Sequence, residues 1–366
     1  MNIKSHSIKN YRNIAEAVIE PVNGVNVIYG ENGHGKTNII ESIWLFTGCN
    51  SFRTRKNIEL IQNNHNFARL DCEFEAYGRE QSARLIINEN KEAYLNEIKQ
   101  VSARKFLGEF QAVVFSPSVL SVIQDGPSEK RKFIDIALSL IKPNYAVLLS
   151  KYNKAVFQRN SLLKQINATS KGEDLLFAFD EQLALLGGKI LNYRTDYIEK
   201  LKEQSAVVYG GISNGREKMA VEYVNSLKEK GSTAEEWSNI LYTELSKNHK
   251  RDIFRLATTV GPHKDDLEIT LDNMSARSYG SQGQQRTCAL SLKLAEAEVI
   301  KEISGERPIA LLDDVMSELD EKRQKYLIKY FDGWQVFVTC CDRAHLKKIK
   351  CDRAYRVKDG KAILRY

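Results

Sequence analysis

Cysteine and proline are scarce in this chain, at 6 residues each among 366. With 42% hydrophobic and 28% charged residues, the composition excludes collagen-like and low-complexity disordered chains and is typical of a globular protein. The cysteines show no Cys-x-x-Cys spacing, which argues against a disulfide scaffold. We therefore expect a folded protein of two or three domains in a reducing, cytoplasmic compartment.

Long apolar runs are also absent. No stretch approaches the roughly 18 apolar residues of a membrane-spanning helix, so no membrane segment is expected. The first residues, MNIKSHSIKNYRNI, contain neither an apolar core nor a small-residue cleavage site. They predict no secretory signal.

The net charge is +7, a mild excess that permits a nucleic-acid partner without demanding one. The excess is concentrated near the C-terminus, where residues 342–366 contain three Asp. The basic residues of that stretch are Arg343, Lys347, Lys348, Lys350, Arg353, Arg356, Lys358, Lys361 and Arg365. A solvated face and a binding surface both explain this pattern.

The order of patterns along the chain predicts an α/β domain split in sequence by helices. Strand patterns occur at 25–29, 70–78, 83–96 (turning near 88–90) and 110–115, with a helix from Thr37 to Phe46. Residues 128–255 are helical in pattern, and glycine pairs at 187–188 and 210–211 are expected to interrupt or flank the helices. Strands return at 266–271, 308–314 and 334–341, and continuous apolar strands are typical of a parallel sheet.

Residues 30–37 form a complete G-x-x-x-x-G-K-[ST] P-loop between a predicted strand and a predicted helix. Such a loop turns backbone N–H groups toward phosphate oxygens, and the helix that follows it favours anions. Lysine supplies positive charge to the β- and γ-phosphates and threonine supplies a hydroxyl ligand to Mg²⁺. The predicted ATP-binding residues are Gly30, Glu31, Asn32, Gly33, His34, Gly35, Lys36 and Thr37.

A second group of acidic residues follows the apolar run at 309–312. Asp313 is the predicted partner of Thr37 in holding Mg²⁺, and Asp314 is predicted to orient or activate the attacking water. With Lys36, these two aspartates are the predicted catalytic residues. An apolar run before aspartate is frequent by chance, and it gains specificity here from the P-loop.

A third motif, Tyr-Gly-Ser-Gln-Gly-Gln-Gln-Arg at 279–286, precedes a helical stretch. It is similar to the signature of ABC ATPases, and physically it is a second anion site at a helix N-terminus. The predicted nucleotide-binding residues of this motif are Ser281, Gly283 and Gln284. A polar turn capping an ordinary helix is the alternative interpretation.

With these motifs the chain resembles the RecF family of bacterial DNA replication and repair proteins over nearly its full length. Further residues that carry the resemblance are 10–13 (Asn-Tyr-Arg-Asn), 38–43, 51–54 (Ser-Phe-Arg-Thr), 261–266 (Gly-Pro-His-Lys-Asp-Asp) and 281–287. The chain departs from the family at His34, where glutamine is usual, and at Ser118-Val119, where an acidic pair is usual. The second departure weakens any Q-loop within residues 111–118. The H-loop histidine of ABC transporters has no counterpart, since Thr339 or Cys340 occupies that region.

The resemblance implies an ABC-type P-loop ATPase head with mixed sheets, interrupted by a mainly helical second lobe. We assign residues 1–115 plus 255–366 to the head and 116–254 to the lobe. The lobe is too short for the coiled-coil arms of SMC and Rad50 proteins. His263 is left open between a structural loop residue and a ligand, and Asp265-Asp266 between a cap and a site.

The resemblance also implies a function. It implies a weak DNA-dependent ATPase that dimerises on ATP and Mg²⁺, clamps single-stranded, gapped or junction DNA, and releases it on hydrolysis. RecR with RecO as partners, recombinase loading, replication recovery and SOS induction are implied as well. Candidate phosphate contacts to DNA are Arg53, Arg55, Lys56, Lys130, Arg131 and Lys132. Two alternatives are a non-hydrolysing ATP-dependent scaffold and, less favoured, the nucleotide-binding subunit of a transporter.

Overall fold

The computed structural model of the chain describes residues 1–227, 229–341 and 351–365. This part forms two compact units, one of Met1–Leu120 with Leu292–Tyr366 and the other of Ser121–Ser291. Of the basic C-terminal residues, Arg343, Lys347, Lys348 and Lys350 lie outside the described residues.

The secondary structure elements are numbered in chain order. The strands are β1 (Asn2–Tyr11), β2 (Ile14–Ile19), β3 (Val25–Tyr29), β4 (Ala68–Ala76), β5 (Arg79–Ile87), β6 (Lys91–Leu95), β7 (Ile98–Gln100), β8 (Ala112–Phe115), β9 (Met219–Val224), β10 (Asp266–Leu271), β11 (Met274–Ser275), β12 (Ile309–Leu312), β13 (Val336–Cys340), β14 (Arg353–Lys358) and β15 (Lys361–Leu364). The helices are α1 (Lys36–Trp44), α2 (Ser121–Gln124), α3 (Pro127–Ile141), α4 (Pro143–Thr169), α5 (Leu176–Ser213), α6 (Ala234–Lys247), α7 (His249–Arg255), α8 (Ala276–Tyr279), α9 (Gln282–Ser304), α10 (Val315–Glu318) and α11 (Glu321–Tyr330).

The first unit contains an antiparallel sheet with the strand order β2-β1-β4-β5-β6-β7. Side chains along β4 alternate between the interior and the surface, as expected for a sheet with one face in a core. The predicted strand at 70–78 and the hairpin at 83–96, with its turn at 88–90, are confirmed by β4, β5 and β6.

A second sheet of the first unit has the order β15-β14-β3-β13-β12-β8. Strands β14, β3, β13, β12 and β8 pair in parallel, and β15 adds an antiparallel edge. The apolar runs at 25–29, 309–312 and 336–340 are therefore strands of a parallel sheet, as predicted. Because parallel strands end at one edge, the residues after Tyr29, Leu312 and Cys340 are brought together.

Helix α1 joins the two sheets of the first unit. Its Ile39, Ile40 and Ile43 are fully buried, and the helix contacts β1 and β13. The apolar residues that predict this helix are therefore buried, and the polar residues Asn38, Glu41 and Ser42 are buried with them.

The second unit is mainly helical and includes a small sheet with the order β11-β10-β9. Helix α5 runs for 38 residues through both glycine pairs, so the prediction that these pairs interrupt the helices is wrong. A Cβ atom at Gly188 would lie 2.6 Å from the carbonyl oxygen of Ala234 in α6. Glycine therefore permits α5 and α6 to pack closely, although it is a poor helix former.

The limits of the second unit differ from those assigned to the lobe from sequence. Residues 255–291, assigned there to the head, lie within the second unit. The physical reason is strand pairing, since β10 pairs along its length with β9, from Leu271 opposite Met219 to Asp266 opposite Val224. Strand β9 lies in the stretch that the sequence pattern predicts as helical, and that pattern missed it.

Candidate nucleotide-binding site

The P-loop lies between the end of β3 and the start of α1. Gly35 occupies the position before the helix with φ of 110°, in the left-handed region that favours glycine. A Cβ atom there would lie 2.7 Å from the amide oxygen of Asn13, so glycine also provides room for a close neighbour.

The Lys36 side chain is held inside this loop. Its ammonium group donates hydrogen bonds to the carbonyl oxygens of Gly30 at 2.7 Å and Glu31 at 2.9 Å. Lys36 is the first residue of α1, where free N–H groups carry the positive end of the helix dipole. A fixed cation and a helix N-terminus thus coincide, an arrangement that binds phosphate.

The parallel sheet brings Thr37 to Asp313. The Thr37 hydroxyl donates to Asp313 Oδ1 at 2.9 Å, and the Thr339 hydroxyl donates to the same oxygen at 2.8 Å. Burial raises the pKa of Asp313, against the effect of the hydrogen bonds from Thr339 and Thr37. A hydroxyl and a carboxylate in contact are the hard oxygen ligands that Mg²⁺ prefers, so these residues fit that ion.

Asp314 adopts an unusual backbone conformation beside Asp313. Its φ of 54° is left-handed, which is uncommon for a residue with a side chain. Its N–H donates to the Thr339 hydroxyl at 2.9 Å, and its exposed carboxylate accepts from Ser317 at 3.0 Å. The side chain predicted to act on water is therefore exposed at the edge of the sheet where the P-loop begins.

Asn13 supports the P-loop from the turn between β1 and β2. Its side-chain N–H donates to the carbonyl of Gly33 at 2.6 Å, and its oxygen accepts from the Asn38 amide at 2.6 Å. Arg53 in turn donates to the Asn38 oxygen at 2.7 Å. Asn13 lies in the 10–13 motif, and no sequence pattern predicts its contact with the P-loop.

A buried ion pair lies behind this chain of hydrogen bonds. Arg12 donates to both carboxylate oxygens of Glu41, at 2.5 and 2.7 Å, and the Glu41 side chain is fully buried. Ser51 donates to the same carboxylate at 2.5 Å. The motifs at 10–13, 38–43 and 51–54 thus meet in one network beneath the P-loop.

The signature-like turn belongs to the second unit. The Gln284 N–H donates to the Ser281 hydroxyl at 3.3 Å, and the Gln284 side-chain oxygen accepts from the Ser281 N–H at 2.7 Å. These reciprocal bonds form a capping box at the start of α9. The Gln284 amide also donates to Glu217 at 2.7 Å, so its side chain is used within the second unit. Ser281 is exposed.

Side chains of the motif at 261–266 bond within the second unit. His263 lies 2.8 Å from the Tyr152 hydroxyl and 3.0 Å from the Thr258 carbonyl oxygen. Asp265 is buried, accepts from Arg194 at 2.9 Å and from Tyr223, and burial raises its pKa to about 6. Within the described ranges, no group of three or more His, Cys, Asp or Glu side chains could hold a metal ion.

Residues 111–118, where a Q-loop was considered, lie before, within and after β8. Gln111 precedes β8, at the end of that strand opposite to Asp313, because Ile309 pairs with Ala112 and Leu312 with Phe115. Gln111 is therefore remote from the edge that carries the acidic residues. Ser116 follows β8 at that edge, and its hydroxyl lies 2.7 Å from that of Ser118.

Two of the candidate DNA contacts instead bond to acidic residues of the second unit. Lys130 is buried and pairs with Asp266 at 3.2 Å, and Arg131 donates to the Asp265 carbonyl at 2.6 Å. Lys132 is exposed and pairs with Glu129. In the first unit the exposed candidates are Arg53, Arg55 and Lys56.

Across residues 1–227, 229–341 and 351–365, none of the helices combines the length and the apolar character needed to cross a membrane.

The RecF/RecN/SMC N terminal domain family matches residues 2–363 of the chain. The DNA replication and repair protein RecF of Caldanaerobacter subterraneus subsp. tengcongensis is 40% identical over 364 residues, covering 98% of this chain and 99% of the relative. Two solved structures of the recombination mediator protein RecF in the RecFOR pathway, described as RecF-ATPrS and RecF-ATP, are each 38% identical. Their TM-scores are 0.93 and 0.91, and each match covers 100% of this chain and 98% of that chain.

The mixed sheets, the P-loop and the acidic strand end define an ATPase head of the ABC type, interrupted by a mainly helical unit. The predicted fold class is confirmed. The chain belongs to the RecF family of DNA replication and repair proteins, as the motifs predict.

Proposed function

We propose that the chain binds ATP with Mg²⁺ at residues 30–37 and hydrolyses it. The observation that carries this proposal is the contact of Thr37 with Asp313 beside the enclosed ammonium group of Lys36. The RecF-ATP relative, 38% identical over the full chain, supports it.

The roles of the residues follow from their chemistry. Lys36 and the α1 N-terminus stabilise negative charge on the transferred phosphoryl group. Thr37 and Asp313 would hold Mg²⁺, which neutralises phosphate charge. Asp314 presents an exposed carboxylate that can accept a hydrogen bond, and then a proton, from the attacking water.

ATP also joins two copies of the chain in this proposal. A head-to-tail dimer would place the nucleotide of one copy against Ser281 and Gly283 of the other. The capping box supports such a role because it fixes the turn and leaves the Ser281 hydroxyl proton free to bond to phosphate. The Gln284 side chain acts in this scheme as part of the cap.

The DNA-bound state is the third part of the proposal. The closed dimer would clamp single-stranded, gapped or junction DNA, and weak, DNA-dependent hydrolysis would release it. Membership of the RecF family and the recombination mediator relatives support this role, with RecR and RecO as partners in recombinase loading, replication recovery and SOS induction. Arg55 and Lys56 are the proposed phosphate contacts in the first unit.

Sedimentation with and without Mg-ATP tests the dimer. The wild-type chain is expected to dimerise in saturating Mg-ATP, Lys36→Met to stay monomeric, and Asp314→Asn to dimerise but release phosphate slowly. Lys4→Met, at an exposed surface pair, is the matched control and should behave as wild type. A wild-type chain that remains monomeric would overturn the clamp. Dimerisation without any phosphate release would favour the scaffold alternative.

A further inference from the structure

Thr339 lies beside Asp313 and Asp314, and no sequence motif predicts a role for it. It lies in β13, which pairs in parallel with β12 and places Val338 opposite Leu312. The next residues along the two strands, Thr339 and Asp313, are therefore neighbours at the edge that carries the P-loop.

The hydroxyl of Thr339 bonds to both acidic residues at once. It donates its single proton to Asp313 Oδ1 at 2.8 Å and accepts the N–H of Asp314 at 2.9 Å. A threonine hydroxyl has one proton and two lone pairs, so one atom can serve both neighbours. Thr339 is 1% exposed, which shields both bonds from competing water.

Each bond fixes the position of a carboxylate that the proposed hydrolysis needs. The bond to Asp313 orients a buried carboxylate whose same oxygen meets Thr37. The bond from Asp314 holds a left-handed backbone, and that backbone sets where the Asp314 carboxylate lies.

We propose that Thr339 is a positioning residue of the ATPase site, whose hydroxyl aligns the Mg²⁺-side carboxylate of Asp313 and the water-side carboxylate of Asp314 relative to each other. This inference deepens the function proposed above and rests on it. Valine has nearly the same shape and lacks the hydroxyl, whereas serine retains it.

The first experiment compares Thr339→Val, Thr339→Ser and wild type in steady-state ATP hydrolysis. Thr339→Val is expected to lower kcat by roughly 10- to 100-fold with a small change in KM, as for other residues that orient metal ligands. Thr339→Ser should restore kcat to within about threefold of wild type. Thr243→Val, at an exposed site on α6, controls for the substitution itself.

The second experiment needs no turnover. Binding of a fluorescent, non-hydrolysable ATP analogue is measured with and without Mg²⁺. We expect equal affinities of the three proteins without Mg²⁺, and an enhancement by Mg²⁺ that is about tenfold smaller in Thr339→Val alone. Equal binding without Mg²⁺ also shows that the valine variant is folded.

The outcomes separate the two proposals. A wild-type chain without phosphate release would contradict the proposed hydrolysis, and the binding experiment would still decide the role of Thr339. The inference is wrong if Thr339→Val equals wild type in kcat and in Mg²⁺ enhancement, or if valine and serine cause the same loss.

Discussion

The side-chain amide of Asn13 donates to the main-chain carbonyl of Gly33 at 2.6 Å. The turn between β1 and β2 therefore holds the P-loop by a side chain that lies outside the phosphate-binding motif. Because a P-loop binds phosphate through a fixed set of backbone N–H groups, loss of this bond should weaken nucleotide binding.

Asn13→Ala removes the bonds to Gly33 and Asn38 and is expected to weaken ATP binding by roughly tenfold, the equivalent of about 1.4 kcal/mol. Titration calorimetry with an ATP analogue measures the change. Asn192→Ala, at a surface position of α5, should leave the affinity unchanged. Equal affinity of Asn13→Ala and wild type would refute the supporting role.

The ion pair between Arg12 and Glu41 leads to a prediction about stability. Arg12→Ala leaves the fully buried Glu41 carboxylate without its bidentate partner, so we expect the free energy of unfolding to fall by about 3 kcal/mol. Denaturant unfolding measures it. Removing Lys4 from its exposed pair with Glu75 should cost less than about 1 kcal/mol. Similar losses from both substitutions would contradict this assignment.

Acid should destabilise the second unit through His263. In the neutral ring, Nε2 donates to the Thr258 carbonyl, and Nδ1 is left to accept from the Tyr152 hydroxyl. Burial lowers the pKa of His263 to about 4. Between pH 6.5 and 4 the unfolded chain therefore binds more protons than the folded chain. The contribution of His263 to the free energy of unfolding falls as the pH falls, by about 2 kcal/mol at pH 5.

The measurement for His263 is urea unfolding at pH 7 and pH 5, followed by the fluorescence of the second-unit residue Trp237 in a variant whose other tryptophans are replaced. His263→Gln should be less stable at pH 7 but should lose less stability on acidification. An identical pH dependence in both proteins would show that His263 is not the source.

Cys341 reports on the P-loop. Its Sγ atom lies 2.9 Å from the Asn32 side-chain oxygen, and the thiol is exposed. A thiol reagent should therefore modify Cys341 before the buried cysteines, and saturating ATP should slow that modification by roughly tenfold. Peptide mapping after brief alkylation tests this, with Cys341→Ser as control. Unchanged labelling in ATP would place the nucleotide elsewhere.

DNA binding should depend on salt in the manner of phosphate contacts. Replacing Arg55 or Lys56 by Ala is expected to weaken binding to all sequences alike and to reduce the slope of log affinity against log salt by about 1 for each residue. Fluorescence anisotropy at several salt concentrations measures the slopes. Lys132→Ala is the comparison in the second unit. A wild-type affinity independent of salt would exclude binding to the phosphate backbone.

The parallel sheet was predictable because its strands are continuous apolar runs, and the P-loop and Asp313 follow those runs directly. The alternating residues of β4 and the Asn-Glu-Asn turn before β6 were also predictable, because each is a local pattern. Residues 10–13, 38–43 and 51–54 were recognisable as motifs, whereas their convergence was not. Contacts such as Arg12 with Glu41 depend on how α1 packs against β1, which no local pattern encodes.

Other features could not be predicted from the sequence because they depend on tertiary contacts. Gly187 and Gly188 have the local signature of a helix breaker, and only the approach of α6 explains why α5 continues through them. Strand β9 is short and lies among helices, so its pairing with β10 outweighs its local pattern. Thr339 is an ordinary strand residue by sequence, and its role depends on the register of β13 against β12.

The network beneath the P-loop also bears on how such a sequence can change. Glu41 accepts hydrogen bonds from Arg12 and from Ser51, and it is too deeply buried for water to replace either donor. A single substitution at any of the three positions leaves a charged or polar group without one of its hydrogen-bond partners. Neutral drift through these sites therefore requires paired changes, and the separated motifs at 10–13, 38–43 and 51–54 should evolve as one unit.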